Sequence, residues 1–396
     1  MNKSEQKRPD FILLAILLSM TSISLLMIYS SFPLLSSAVN PNTILLKQVI
    51  WWILGYGLLF FLFYLGTERI QSSIYVIYYI VLASLALLAV QKYLQLPFLR
   101  SLIIPRNGSV SWFTIPGGTI QPSEFMKIIL IILIPEIIDK HHKNYPISKL
   151  STDIILVKNV MRYILPPLVL TYIQPDSGLT IIMLISIASM LLVSGIRREW
   201  IIIGLSFVAF VILVVGITYM IHPDFVINYI IGGSYKLNRI YGWLEPEKYI
   251  LTFGNQLYTA LLAVGSAGIW GYGLQNVPLY IAEAQNDFIY AIVGSSYGLL
   301  GSLTVLLLSL SLDFRLIQIG LKSQNTKSKY IIAGLVGILA FQQIENMGMI
   351  VGLFPITGIT LPFISSGGSS LLSYMIIIAV VMQIFSDIIQ KQHPSK

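Results

Sequence analysis

The chain has 396 residues, of which 56% are hydrophobic and 11% charged, and its mean hydropathy is +0.79. A soluble domain carries about 25% charged residues, so this composition excludes a soluble globular protein and predicts an integral membrane protein. The sequence has no cysteine, which excludes disulfides and thiolate chemistry, and its net charge of +8 is typical of basic cytoplasmic loops rather than of a nucleic-acid partner.

Ten apolar runs approach the length of about 20 residues that a membrane-spanning helix needs. Long continuous runs, without period-two alternation, predict helices and not a barrel. The fifth run contains Pro166 and Pro167, so we expect it to be kinked or broken. The predicted fold is an all-α integral membrane protein, a single polytopic domain over residues 1–396. The predicted spans are 11–31, 48–66, 72–92, 123–139, 159–173, 178–195, 200–222, 287–311, 331–353 and 368–388.

The distribution of Lys and Arg predicts the orientation. With the N-terminus in the cytoplasm, 16 of the 25 Lys and Arg residues lie in inner segments and seven in outer segments. Positive residues accumulate on the cytoplasmic side, and an even number of spans places both termini there. The first run lacks a small-residue cleavage pattern, so we interpret it as a retained span. The long polar segment 223–286, between spans seven and eight, is then an extracellular loop.

Three shorter outer segments are rich in Gly, Pro, Ser, Thr and carboxylates. Such a composition predicts defined non-helical backbone, which is tolerated at membrane depth only where it is buried in protein or lines a wet cavity. We therefore predict that these segments and the long outer loop form one polar site on the outer face. The segments contain Trp112 with Gln121-Pro122-Ser123-Glu124, Gln174-Pro175-Asp176, and Pro355 to Ser370.

Several polar residues at span ends or inside spans have both a functional and a structural interpretation. Ionisable groups such as Glu124 and Lys127 inside a span mark a site by default, but a helix-start carboxylate paired with a lysine one turn later is purely structural. Asp176 follows a proline at a span junction, where it would cap a helix or take part in catalysis. Glu345 and Asn346 would face a polar interior or bond between helices.

Glu283 and Asp287 are the strongest candidates for chemistry. They stand four residues apart where the long outer loop enters the eighth span. A carboxylate there meets water on one side and a low-dielectric wall on the other, which raises its pKa toward the value that a general base needs. Ser369 follows two glycines at the start of the tenth span, where backbone N–H groups would bind an anion, although a simple turn explains the pattern equally well.

Together and in this order, these motifs resemble the SEDS family of bacterial cell-wall proteins, which includes RodA, FtsW and SpoVE. The likeness extends from the first span to the tenth. The matching residues are Gln121 to Lys127, Gln174 to Asp176, Lys236 to Arg239 with Glu245-Pro246, Gly254 to Gln256, Gly265 to Gly268, Glu283 to Tyr290, Tyr297 to Gly301, and Asn346 through Pro355 to Ser370.

The resemblance implies a peptidoglycan glycosyltransferase that polymerises lipid II at the outer face of the bacterial cytoplasmic membrane. It implies a class B penicillin-binding transpeptidase as partner, and apolar grooves that hold polyprenyl tails among the membrane lipids. It implies catalysis by Asp287, with an Mg²⁺ or Mn²⁺ ion as a further expectation. The predicted substrate-binding residues are Trp112, Glu124, Lys127, Lys236, Arg239, Gln256, Glu283 and Ser369.

Some residues depart from the family pattern. Ser111 stands where the family usually has an arginine, Asn286 replaces a threonine, Ser295 and Ser296 replace two glutamates, and Ser366 replaces a tyrosine. Two other hypotheses therefore accompany the enzyme hypothesis. One is a flippase that moves lipid II across the membrane, since broken helices also suit transport. The other is a non-catalytic scaffold for a transpeptidase.

Overall fold

The computed structural model describes residues 7–35, 40–66, 68–105, 109–226 and 234–392. These residues form fourteen helices, one two-stranded sheet and 3-10 turns at Phe32–Leu34 and Pro97–Leu99. The strands are β1 (Phe113–Ile115) and β2 (Gly118–Ile120). The helices are α1 (Phe11–Ser30), α2 (Pro41–Leu65), α3 (Glu68–Ser72), α4 (Ile74–Leu94), α5 (Pro122–Asn144), α6 (Leu150–Ile173), α7 (Ser177–Val193), α8 (Arg198–Ile221), α9 (Pro223–Phe225), α10 (Ser234–Leu244), α11 (Asn255–Ser266), α12 (Ile289–Lys322), α13 (Thr326–Ile350) and α14 (Gly368–Gln392).

Each of the ten predicted spans corresponds to a helix: α1, α2, α4 to α8, and α12 to α14. Eight of these described helices are long and apolar enough to cross a membrane by length and composition. The other two are α5, whose charged residues near both ends lower its hydropathy, and α7, which has 17 residues. The all-α multispanning fold is therefore confirmed, whereas its orientation in the membrane stays a prediction.

Of the two alternatives predicted for the fifth span, kinked or broken, the broken one is wrong, and a kink stays a prediction. Helix α6 continues through Pro166 and Pro167. Pro167 has no N–H to donate to the carbonyl of Tyr163 one turn earlier. The hydroxyl of Tyr78, on the neighbouring helix α4, donates to that carbonyl at 2.8 Å instead. The acceptor that the proline leaves open is thus satisfied from outside the helix, which allows α6 to stay intact.

The centre of the bundle consists of α5, α13 and α14. Helix α5 contacts α4, α6, α7, α13 and α14, while α13 packs most extensively against α7, and α14 against α2. Since lipid tails are as apolar as these side chains, the helices associate through close packing and polar contacts rather than by leaving water. A second apolar cluster joins α1 to α11 and to the segment around Phe288, and so holds the start of α12 in place.

The long outer segment contains more regular structure than the predicted loop 223–286 implies. It includes α9, α10 and α11, and the last two are 11 and 12 residues long. Such helices are too short to cross a bilayer, so a search for apolar runs of span length passes over them. Its position outside the cell stays a prediction.

A β-hairpin precedes α5 and was not expected from the sequence. β1 pairs antiparallel with β2, with Phe113 opposite Ile120 and Ile115 opposite Gly118. The turn contains Gly117 at φ +90°, a conformation that favours glycine. The hairpin sets the direction in which the chain enters α5, and so places Gln121 at its start.

Helix α12 is interrupted at Gly298, whose φ is 61° and ψ −149°. The segment 268–273 fills this break: the N–H of Tyr272 donates to the carbonyl of Ser295 at 2.9 Å, and the N–H of Leu299 donates to the carbonyl of Gly268 at 3.0 Å. Irregular backbone inside a membrane protein requires such partners. The pairing fixes the first turns of α12, which follow directly after Asp287.

Candidate functional site

Most of the predicted site residues gather at one end of the bundle, where α5, α7, α12 and α14 begin and α13 ends, and Gln121 and Thr357 join them there. They form two groups. The Gln121 cluster consists of Trp112, Gln121, Glu124, Lys127, Asp176 and Ser369. The Asp287 cluster consists of Arg239, Glu283, Asp287, Glu345, Asn346 and Thr357.

Gln121 is the hub of the first cluster. Its side-chain Oε1 accepts from the indole Nε1–H of Trp112 at 3.0 Å, and its Nε2–H donates to Oδ2 of Asp176 at 2.6 Å. Its backbone N–H donates to Oγ of Ser369 at 3.1 Å, and that hydroxyl donates to the carbonyl of Thr119 at 2.9 Å. One residue thereby ties the hairpin to the first turns of α5, α7 and α14.

Glu124 and Lys127 form an ion pair inside the bundle. Nζ of Lys127 lies 2.5 Å from Oε2 of Glu124, and the lysine side chain is fully buried. The ammonium also lies 4.0 Å from the ring centroid of Tyr374 on α14. This geometry favours the structural interpretation of the pair. The ammonium of Lys127 has no access to solvent. The structure therefore does not place Lys127 where it could contact a pyrophosphate, and its role as a substrate-binding residue stays a prediction.

Asp176 caps α7, as one of its two interpretations proposed. Its Oδ1 accepts from the N–H of Leu179 at 3.1 Å. Burial raises the pKa of Asp176 to about 6, against the lowering effect of the Leu179 N–H and with a further raising effect from Glu124. The carboxyl group therefore has a structural role at the helix start together with its bond to Gln121.

Asp287 lies two residues before α12 and is partly buried. Burial raises the pKa of its carboxyl group to about 6; its own backbone N–H lowers the pKa, the charge of Glu283 raises it, and the charge of Arg239 lowers it. Glu283 is exposed and accepts from Nδ2–H of Asn286 at 2.5 Å. The environment expected for a general base from the sequence is present at this residue.

Helix α13 contributes the buried part of the Asp287 cluster. Nδ2–H of Asn346 donates to the carbonyl of Asp287 at 2.7 Å and to the carbonyl of Ile359 at 2.8 Å. The hydroxyl of Thr357 donates to Oε1 of the neighbouring Glu345. The two interpretations made from the sequence were a polar interior and bonding between helices. The observed partners, Asp287, Ile359 and Thr357, lie in non-helical segments, so the pair bonds α13 to these segments rather than to another helix.

Arg239, on α10, reaches the same segment. Its Nη1–H groups donate to the carbonyls of Ile356 and Thr357, each at 3.3 Å. The segment 355–367 is thus held between α10 on one side and α13 on the other. Trp243, one turn after Arg239, donates its indole N–H to the carbonyl of Gly352 at 2.8 Å and fixes the same helix.

The segment from Pro355 to Ser370 joins the two clusters. The hydroxyl of Ser365 donates to the carbonyl of Asn286 at 2.7 Å, and the N–H of Ser366 donates to the carbonyl of Gln285 at 2.9 Å. Three residues further on, Ser369 binds Gln121. A small recess lies within the segment, and Thr360, Pro362, Ser366, Gly367 and Ser370 are among the residues that line it.

The start of α14 depends on a close approach. Gly368 packs against the indole of Trp51 on α2, and a Cβ at this position would lie 2.3 Å from the ring. The N–H of Gly367 donates to Oε1 of the buried Gln48 at 3.3 Å. Packing therefore requires glycine at position 368 but not at position 367, and the anion-binding interpretation of Ser369 stays a prediction.

The remaining predicted residues lie at the edges of the site. Nε2–H of Gln256, on α11, donates to the carbonyl of Ala282 at 3.0 Å and so supports the segment before Glu283. Lys236 is on α10, and its side chain lies outside the described part of the structure. Within the described residues no group of three His, Asp or Glu side chains is placed to hold a metal ion. The Mg²⁺ or Mn²⁺ ion therefore stays a prediction.

Some residues that depart from the family pattern have local side-chain partners, whereas the buried hydroxyl of Ser295 has no hydrogen-bond partner among the described residues. The hydroxyl of Ser111 donates to the carbonyl of Gln174 at 3.2 Å. Ser295 and Ser296 are buried in α12, and the hydroxyl of Ser296 lies 2.7 Å from that of Ser30 on α1.

Sequence reasoning did not single out Gln121 or Thr357 as site residues. The position of Gln121 directly before the Pro-Ser-Glu helix start was a usable signal. No local signal identifies Thr357, because its role depends on α13 lying beside it.

Comparisons with known proteins concern the chain as a whole. The family model for FtsW, RodA and SpoVE, described as "Cell cycle protein", matches residues 10–388. Stage V sporulation protein E of Bacillus subtilis is 27% identical over 389 residues, which cover 96% of this chain and 98% of that protein. A probable peptidoglycan glycosyltransferase FtsW of Buchnera aphidicola is 32% identical over 291 residues, 70% of each protein.

Solved structures show the same fold. The rod shape determining protein RodA of Thermus thermophilus superposes with a TM-score of 0.64 at 22% identity, over 96% of this chain and 97% of that chain. A chain from the study "Structural coordination of polymerization and crosslinking by a peptidoglycan synthase complex" superposes with a TM-score of 0.74 at 22% identity, over 96% and 99%. At this level of identity the likeness concerns the fold alone.

Proposed function

The chain belongs to the FtsW, RodA and SpoVE family, the SEDS family, and from that premise we propose that it polymerises lipid II into glycan strands at the outer face of the membrane. It is a multi-pass protein of the bacterial cytoplasmic membrane. The relatives named probable peptidoglycan glycosyltransferase support the reaction type, and the relative from a peptidoglycan synthase complex supports a class B transpeptidase as the working partner.

The setting of Asp287 is the observation that carries the proposal. A carboxyl group with a pKa of about 6 is ionised at neutral pH but remains basic enough to take up a proton. Asn346 holds its backbone, and the fixed start of α12 follows it. A general base must be held within hydrogen-bond reach of the proton that it removes, and these contacts restrict where Asp287 can point.

The proposed reaction has one proton transfer and one displacement. The carboxylate of Asp287 takes the proton from a sugar hydroxyl of the acceptor, and that oxygen attacks the anomeric carbon of the donor sugar. A new glycosidic C–O bond forms while the C–O bond to the lipid pyrophosphate breaks. The pyrophosphate leaves with the bonding electrons, and the proton on Asp287 passes to water.

A cation beside the departing pyrophosphate would stabilise its developing charge. Arg239 is the described residue best placed for this role, because its guanidinium acts on the charge of Asp287 and is anchored to the carbonyls of Ile356 and Thr357. Lys127 is paired within the bundle, so we assign it to structural support. The predicted roles of Lys236 and a divalent cation at this position remain predictions.

The test is polymerisation of purified lipid II by the detergent-solubilised protein together with its transpeptidase partner. We expect glycan strands from the unmodified protein and a loss of about 10²–10⁴-fold for Asp287→Ala, the usual contribution of a general base. Glu247→Gln is the matched control, because Glu247 is an exposed carboxylate of the same outer segment. It should polymerise normally.

The same assay separates the other two hypotheses. In detergent lipid II is available without being moved across a membrane, so polymer formed there cannot result from a flippase activity alone. If Asp287→Ala polymerises at the normal rate, the catalytic assignment is wrong. If the unmodified protein makes no polymer but Asp287→Ala still restores growth to a deletion strain, the scaffold hypothesis is supported instead.

A further inference from the structure

The hydrogen bonds through the side chain of Gln121 can run in only one direction. The indole nitrogen of Trp112 is a donor only, and an ionised carboxylate such as that of Asp176 is an acceptor only. The amide of Gln121 therefore points its oxygen to Trp112 and its nitrogen to Asp176, at 3.0 and 2.6 Å. Reversing the amide would break both bonds, so the network fixes the glutamine.

Both ends of this network are anchored. Asp176 caps α7 through the N–H of Leu179, and the backbone of Gln121 is bound to Ser369 at the start of α14. Trp112, at the other end of the network, is its aromatic member and is partly exposed, as are Gln121 and Asp176. Two helix starts thus restrict the rotation of one aromatic ring at the outer end of the bundle.

We propose that Gln121 and Asp176 are positioning residues that hold the indole of Trp112 as a platform for a sugar ring of the lipid-linked substrate. This inference rests on the proposed function: the resemblance implies that Trp112 binds substrate, and the network adds how the ring is held and which of its surfaces is left for a sugar. Gln121 already occupies the indole N–H, so that group is not available to a sugar hydroxyl. The ring surface remains, and it suits the apolar C–H face of a hexose.

Two single substitutions should disturb the network while leaving its shape intact. In Asp176→Asn the side-chain oxygen still caps α7, but its NH₂ group then faces the NH₂ group of Gln121. In Gln121→Glu two carboxylates face each other. We expect each change to raise KM for lipid II about tenfold, the effect of losing one hydrogen bond to a charged group, with a smaller change in kcat.

The double variant Gln121→Glu/Asp176→Asn restores the network with exchanged polarity. The new glutamate accepts from Trp112 and from the new asparagine, which still caps Leu179. We expect KM to return to within about threefold of the unmodified value. Rescue by the double variant distinguishes a specific hydrogen-bond chain from a general loss of structure, and equal melting temperatures of all three variants in detergent check the fold.

A second cycle tests whether these residues act through Trp112. In a Trp112→Phe background nothing holds the Gln121 oxygen, so the amide is free to reverse and accept from the NH₂ group of the asparagine that Asp176→Asn introduces. Asp176→Asn should then have no further effect on KM. If Asp176→Asn raises KM equally in both backgrounds, Asp176 does not act through Trp112 and the proposal is overturned.

A spectroscopic readout keeps this test independent of polymerisation. With 5-fluorotryptophan incorporated, the ¹⁹F resonance of position 112 is identified by its absence in Trp112→Phe. We expect it to move in Asp176→Asn, to return in the double variant, and to move when lipid II is added. A resonance unaffected by lipid II rules out the platform, whether or not the protein polymerises. Absence of polymer with a responsive resonance contradicts only the proposed function.

Discussion

The Gln121 cluster and the Asp287 cluster lie at the same end of the bundle, and their carboxyl groups are paired to different degrees. In the Gln121 cluster, Glu124 faces the ammonium of Lys127, and Asp176 binds both an amide and a helix N-terminus. In the Asp287 cluster, Glu283 accepts from Asn286, Glu345 accepts from Thr357 through Oε1 alone, and the charge of Arg239 acts on Asp287.

The unequal pairing indicates a division of roles. Burying a charged group is tolerated when a partner neutralises it. In the Gln121 cluster, Oε2 of Glu124 and Nζ of Lys127 are buried without a conventional hydrogen bond among the described residues, but they have each other at 2.5 Å as ionic partners. Oε2 of Glu345 is buried without a hydrogen-bond partner among the described residues. Incomplete pairing of this kind costs stability and is expected where chemistry takes place. We therefore expect a substitution that leaves a buried charge of the first cluster unpaired, as at Lys127, to affect stability first, and substitutions in the second cluster to affect activity first.

The largest effect is expected from Lys127→Met. The change leaves the carboxylate of Glu124, which is 7% exposed, without its cation. Breaking one side of a buried ion pair costs about 3–5 kcal/mol, and a thermal melt in detergent should show this as a large decrease in midpoint.

The double variant Glu124→Gln/Lys127→Met is the matched control, because it leaves no buried charge. It should recover most of the lost stability. Recovery of both stability and polymerisation supports the structural role of the pair. A stable double variant that makes no polymer would instead return Lys127 to the substrate-binding residues named from the sequence.

The sequence predicts the spans better than it predicts the site, for physical reasons. An apolar run of about 20 residues such as 11–31 determines a spanning helix almost by itself. The short helix α10 and the β1–β2 hairpin were not predicted, because their stability depends on what packs against them. Continuity of α6 through Pro167 likewise depends on Tyr78, which is 89 residues earlier in the chain than Pro167.

The same contrast between local and non-local determinants applies to individual site residues. Asp287 is identifiable because a carboxylate at the start of a span is unusual in itself. The sequence allowed two interpretations for Glu124 and Lys127, and only the three-dimensional neighbours, such as Tyr374, distinguish a buried pair from an exposed one. The contact of Asn346 with the carbonyl of Asp287 joins residues that are 59 apart in sequence.

Asn346→Leu should affect both properties, with the loss of activity exceeding the loss of stability. It removes the donor of two hydrogen bonds, to the carbonyls of Asp287 and Ile359. Leaving buried acceptors without partners costs about 1–3 kcal/mol, and the start of α12 loses a restraint. We expect polymerisation to fall at least tenfold at a temperature where the variant is fully folded.

The control is Ile344→Leu, at an exposed position of the same helix, which should change neither polymerisation nor stability. Normal turnover by Asn346→Leu would show that α13 does not position Asp287.

The pH dependence of kcat/KM should show an acid limb near pH 6. Below the pKa of about 6 the carboxyl group of Asp287 carries a proton and cannot accept another, so the rate should fall about tenfold per pH unit. The sign for stability is opposite: a carboxyl pKa raised above its unfolded value of 3.8 means that folding favours the protonated form. This group therefore adds stability at low pH and loses that contribution as the pH rises from about 4 to 6.

Asp176 has a similar pKa of about 6, so an acid limb near pH 6 does not by itself show which of the two carboxyl groups must be ionised for activity. In Asp176→Asn the overall rate should fall, but the limb should stay at the same pH if Asp287 is the base. A limb that disappears in Asp176→Asn would place the essential titration in the Gln121 cluster and contradict the division of roles between the clusters.

The smallest effects should come from the two charges that act on Asp287 in opposite directions. The carboxylate of Glu283 raises the pKa of Asp287, and the guanidinium of Arg239 lowers it. Glu283→Gln removes the negative charge and should move the acid limb to lower pH, whereas Arg239→Gln should move it to higher pH. Glu283 is exposed, so solvent screens its charge, and we expect a shift of only a few tenths of a pH unit that decreases further at high salt.

Arg239→Gln should also lower kcat if the guanidinium stabilises the departing pyrophosphate, whereas Glu283→Gln should leave kcat on the alkaline plateau unchanged. Shifts of the same sign in both variants would show that these charges do not act on the catalytic carboxylate.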